Sequence, residues 1–188
     1  MRLVSIWRSD YLNSLEYAII EKRKSEVKID SSIIISSFKG TSYKIEYHLV
    51  LSSNWKFKYA DIVVDNEGIQ KRIDIIVDRH RNWSLNNQVI ERLKWCFDID
   101  LGFTPLTNTL PVNRLEITNR KQANITVAWL EFPSFELRPF NQTYTKLNDN
   151  EYLYESGTDF KATIKINKEG FVTKYQDYWT MIGWFENT

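Results

Sequence analysis

The sequence holds a single cysteine, Cys96, among 188 residues. One thiol closes no intrachain disulfide and supplies no cysteine-based zinc site. The two histidines, His48 and His80, share no metal-ligand spacing, so neither a metal nor another cofactor is expected. An excess of charge is also missing: 25 basic against 24 acidic residues leave a formal net charge of +1. Such a balance provides no long-range attraction for nucleic acid or an anionic membrane, although local patches survive averaging. No segment approaches the ~20 uninterrupted apolar residues of a membrane-spanning helix. The N-terminus, Met1-Arg2-Leu3-Val4-Ser5-Ile6-Trp7-Arg8, lacks the apolar stretch of an export signal, which makes the cytoplasm the expected location. Linkers, low-complexity stretches and charge blocks are absent too, and the expectation is one domain over residues 1–188.

What is present favours strands. The chain carries 7 Trp, 10 Tyr and 10 Phe, residues that suit a pleated surface. Tyr43, Ile45, Tyr47, Leu49 and Leu51 alternate with Lys44, Glu46 and His48. Trp55, Phe57 and Tyr59 alternate with Lys56 and Lys58, and Phe160, Ala162, Ile164 and Ile166 with Lys161, Thr163 and Lys165. Ile69, Ile73, Ile75 and Val77 share a parity. A period of two puts each apolar set on one face of a strand. Asp65-Asn66-Glu67-Gly68 and Asn167-Lys168-Glu169-Gly170 read as hairpin turns with a glycine for positive φ. Each is trailed by a tryptophan, Trp83 or Trp179, which fits either a duplication or two ordinary hairpins. Helical pattern is confined to Ile90, Leu93 and Phe97, and to Thr109–Arg114 behind a capping Asn108. The expected fold is mainly all-β: an antiparallel β-roll or half-barrel of roughly ten or more strands, with at most one or two short helices.

Strand alternation stops at Cys96–Leu115, CFDIDLGFTPLTNTLPVNRL. Two acids, two prolines, the polar groups of Thr104, Thr107, Asn108 and Thr109, and an arginine stand among apolar residues there, and such a stretch is buried only with partners for its polar groups. The segment resembles the signature of the bacterial putative glycolipid-binding family: a Cys, an Asp-x-Asp, then Thr-Pro-x-Thr-Asn-Thr-Leu-Pro-x-x-Arg-Leu. It maps to Cys96, Asp98, Asp100, Thr104, Pro105, Thr107, Asn108, Thr109, Leu110, Pro111, Arg114 and Leu115. Trp7, Leu15-Glu16, Gln142-x-Tyr144-Thr145, Tyr152-x-Tyr154, Gly170-Phe171-Val172 and Tyr175–Trp179 are also similar to the family. Asp78–Trp83 departs from its glycine-rich turn, with Arg79-His80-Arg81 in place of glycines. The resemblance implies a rolled antiparallel sheet, similar to the half-barrels of lipoprotein carriers, that binds a glycolipid or fatty-acid-like amphiphile. It supplies no catalytic residues.

A concave strand face lined by apolar side chains would hold an acyl chain, at about 0.8 kcal/mol per buried CH₂, and an aromatic rim would take a sugar. The candidate ligand residues are Trp55, Phe57, Tyr59, Trp83, Trp129, Tyr144, Tyr152 and Tyr154, each of which also suits plain core packing. Asp98, Asp100, Thr107, Asn108, Arg114 and Gln142 would shape one polar end. The two acids suit a carboxylate pair of a glycoside or ester hydrolase, yet an ion-paired network with Arg114 is the favoured reading, because buried acids need partners. Arg79, with His80 and Arg81, suits either an anionic head group or a solvated turn. Cys96 is read as a small core residue. The leading function is amphiphile binding; hydrolysis, or a structural domain without ligand, are the alternatives.

Overall fold

The computed structural model describes residues 1–115, 117 and 121–187. Contacts divide the chain into two compact units, one of Met1–Glu91 with the C-terminal segment from Thr180, the other Arg92–Trp179. The first unit contains β1 (Arg2–Ser9), β2 (Ser14–Lys22), β3 (Glu26–Phe38), β4 (Thr41–Ser52), β5 (Phe57–Asn66), β6 (Ile69–Val77), β7 (Trp83–Leu85) and β8 (Gln88–Val89). The second contains β9 (Asp98–Leu101), α1 (Thr109–Leu115), β10 (Gln122–Leu130), β11 (Leu137–Asn148), β12 (Glu151–Ser156), β13 (Phe160–Ile166) and β14 (Val172–Tyr175). The last strand, β15 (Trp179–Asn187), pairs antiparallel with β1. The mainly-β, antiparallel fold expected from alternation is the one found.

In the first unit β1 to β8 pair in chain order, every neighbour antiparallel. The turn residues explain two of the links. Phe38 faces Thr41 across Lys39 and Gly40, and Asn66 faces Ile69 across Glu67 and Gly68, all four turn residues at positive φ. That is the two-residue hairpin whose twist matches the flanking strands. Ile45, Tyr47, Leu49 and Leu51 of β4 are buried, as their parity requires. The same parity on β2 buries Glu16 with Ala18 and Ile20; its carboxylate accepts from Ser31 Oγ (2.8 Å) and from the Tyr47 hydroxyl.

One parity expectation fails. Trp55, Phe57 and Tyr59 do not share a face. Trp55 precedes β5 at positive φ, and a bulge sets Phe57 against Leu51 but Tyr59 against Val50. One inserted residue reverses the facing of all that follows. Phe57 is buried against Trp83, the rings stacked at 5.2 Å, while Tyr59 lies beside His48 and donates to Asp74. Ile69, at the end of β6, is exposed, unlike Ile73 and Ile75.

In the second unit the order is β14-β13-β12-β11-β10-β9. β9 runs parallel to β10, with Asp98 opposite Val127 and Asp100 opposite Trp129. Tyr144, Tyr152, Tyr154, Ile164 and Val172 form a core with Val112 and Ile117. The helical expectation from Ile90, Leu93 and Phe97 reduces to one 3-10 turn, Glu91–Leu93. A second 3-10 turn, Leu106–Asn108, runs directly into α1. Asn108 does not serve as the expected cap: its oxygen accepts from Tyr144 and its amide donates to the Pro105 carbonyl.

Candidate functional site

The Cys96–Leu115 segment satisfies its polar groups internally and against β11. Asp98 is wholly buried and holds Arg114 through two bonds, Nε to Oδ1 at 2.9 Å and Nη2 to Oδ2 at 2.6 Å. Asp100, two residues on, takes no cation. It accepts from Gln142 Nε2 and from Thr107 Oγ1, while Thr107 Oγ1 itself accepts the Leu101 N–H. Gln142 Oε1 and Asn108 Oδ1 both accept from the Tyr144 hydroxyl, at 3.2 and 2.8 Å. Asp100, Gln142, Thr107, Tyr144 and Asn108 thus form one hydrogen-bonded network.

Asp100 is partly buried. Burial pushes its carboxyl up to about 6, with the Gln142 and Thr107 bonds opposing the rise. Burial raises the Tyr144, Tyr154 and Tyr175 phenols as well, helped by the nearby Asp100 charge. All three therefore remain neutral hydrogen-bonding groups at ordinary pH. Asp98, locked to Arg114, is not available to act with Asp100, and a hydrolase using both carboxylates loses one of its pair.

Among the described residues, this unit is open beyond the network, at Tyr152. A cleft of about 710 Å³ opens between the end of α1, the β11–β12 turn and the β13–β14 turn. Val112, Ile117, Tyr152 and Ile166 supply apolar lining; Asn113, Lys146, Asn150, Asn167 and Glu169 supply polar lining. The signature helix builds one wall. Asn113 Nδ2 donates to the Thr109 carbonyl (2.9 Å) and across to the Gly170 carbonyl (3.0 Å). Gly170, at φ +79, lets the turn approach: a Cβ there would stand 2.5 Å from Asn113 Oδ1. Asn167 Oδ1 accepts the N–H groups of Glu169 and Phe171, closing the turn. Glu169 is thereby held inward with 15% of its side chain exposed; Oε1 meets Lys168 Nζ at 3.3 Å. Its Oε2 is buried and has no hydrogen-bond partner among the described residues.

The candidates read from sequence separate accordingly. Asp100, Thr107, Asn108, Gln142 and Tyr144 come together in the network, Asp98 and Arg114 form a separate pair, Tyr154 meets Tyr144 edge-on at 5.2 Å, and Tyr152 borders the cleft. Trp129 is sandwiched between Phe140 (4.6 Å) and the Arg138 guanidinium (4.7 Å). Trp55, Phe57, Tyr59, Arg79 and Trp83 belong to the first unit, where Trp55, Phe57 and Trp83 are buried packing residues. Arg79 stands on an exposed turn tied by Asp78 Oδ1, which accepts the N–H groups of His80 and Asn82. Cys96 is a buried thiol. Sequence reading missed Glu169 and Asn113. Asn113 reaches a turn 57 residues away, and no local pattern announces such a contact.

The sequence matches the family described as "Putative glycolipid-binding" over residues 4–181. Among solved structures it is similar to a DUF1089 family protein from Pseudomonas aeruginosa, known from a crystal structure. The identity is 26% and the TM-score 0.75, over 85% of this chain and 88% of that one. Comparison with curated proteins gives no match. With the signature segment, its network and the match all in agreement, the chain belongs to the putative glycolipid-binding family.

Proposed function

We propose that this protein binds the polar head of a glycolipid-like amphiphile in the cleft between α1 and the β13–β14 turn, and that it does not enclose the acyl chain under its strand faces. The observation that carries the reading is Glu169, a carboxylate held at the cleft wall whose buried Oε2 has no donor among the described residues. An unmet acceptor costs free energy until a hydroxyl arrives. Three asparagines and Lys146 around it offer the convergent polar groups a sugar needs, and Tyr152, Val112, Ile117 and Ile166 offer an apolar floor for its C–H faces. The cleft volume falls in the usual range for small-ligand sites. The family description points to the same ligand class. In this reading the signature network holds α1 in place and does no chemistry.

Calorimetric titration with short-chain alkyl glycosides tests it. Glu169→Gln keeps the size of the side chain but places an amide where an acceptor oxygen stood. Binding to the natural protein and about tenfold or more weaker binding to the variant are expected. Equal affinity in the two proteins, each folded by circular dichroism, would refute the assignment.

A further inference from the structure

The turn leading into β9 displays two aromatic rings. Trp95 is 75% exposed and Phe97 53%. Tryptophan is highly buried on average, so its display calls for a reason. The segment is not loose. Leu93 and Cys96 are buried, the Cys96 N–H donates to the Leu93 carbonyl at 2.9 Å, and the Phe97 N–H donates to the Thr126 carbonyl at 3.2 Å. Pinned inward at 93 and 96, the chain turns residues 95 and 97 outward. Exposed Lys94 stands beside them. Behind Phe97 lies the Arg114 guanidinium, 5.8 Å from the ring centre and fixed by Asp98.

A displayed indole with an exposed lysine beside it suits the headgroup layer of a bilayer, where amphipathic rings are favoured and Lys meets anionic lipid. We propose that the Lys94–Phe97 turn docks the protein on a lipid bilayer, with Trp95 and Phe97 entering the headgroup layer. This deepens the cleft reading, on whose ligand class it rests, because a glycolipid is met at a bilayer surface. The same short helix carries Arg114 behind Phe97 and Asn113 at the cleft wall.

The test is co-sedimentation with phosphatidylcholine vesicles containing phosphatidylglycerol, with bromine-labelled lipid as a quencher of tryptophan emission. The natural protein should sediment and be quenched. Trp95→Ser should weaken partition about tenfold or more and remove most of the quenching, whereas Tyr11→Ser, at another exposed aromatic, should change neither. Titration of soluble octyl glucoside reads the cleft separately and should be unaffected by Trp95→Ser. Absent sedimentation, partition indifferent to Trp95→Ser, or a patch that proves by light scattering to join two copies of the chain would each overturn the docking proposal.

Discussion

Asp98 and Asp100 share a strand parity and differ in everything else. The first is neutralised by a two-bonded arginine; the second has only neutral donors. Removing the cation strands the first. Arg114→Met should cost about 3–5 kcal/mol by chemical denaturation, since an uncompensated buried carboxylate remains; Asp98→Asn in the same chain should recover much of it. Asp100 behaves in the opposite sense to an ion-paired acid. Burial lifts its folded value from 3.8 to about 6, so the folded state holds the proton more tightly than the unfolded chain. Its contribution is most favourable below about pH 4 and is lost as pH rises through about 6, by up to about 3 kcal/mol. Asp100→Asn should therefore gain on the natural protein between pH 4 and pH 7, in denaturation midpoints taken across that range. Parallel pH profiles would show that Asp100 is solvated.

At the scale of elements, the cleft depends on one turn lying against one short helix. Gly170→Ala meets both a positive φ and the Asn113 carboxamide, and should lower stability by about 1–3 kcal/mol and weaken glycoside binding together. Asn113→Ala in the same chain removes the clash but not the backbone strain, so it should restore only part. Elements were legible in the sequence where the signal is local. The alternation in β4 and β13 and the glycine turns at Gly68 and Gly170 all fold as read. The bond of Arg114 to Asp98 also followed, from the need of a buried acid for a partner. What was not legible is nonlocal. The bulge that turns Tyr59 away from Phe57 comes from register against β4. The parallel pairing of β9 with β10 joins segments almost thirty residues apart. Glu169 reads as an ordinary turn residue until Asn113 draws the turn in. A charge on the apolar parity of β2 was a usable sign that Glu16 is buried and paired.

Across the whole molecule, the strand faces that alternation marks as apolar are filled by their own side chains. Ile29, Ile33, Ile45, Leu49, Ile62 and Trp83 have essentially no exposed surface. An acyl chain finds no place among them without displacing packed residues, a cost that interiors of ordinary density do not recover. In the proposed reading the ligand space is instead the amphipathic cleft of the second unit. This sets the measurement that tests the account most directly: affinities, by calorimetry, for glycosides with one sugar head and a lengthening alkyl chain. A head held in an open cleft predicts affinities that change with the sugar and stay nearly level as methylenes are added. A rise of about fourfold per methylene, the full value of apolar burial, would mean that the chain is swallowed and the account is wrong.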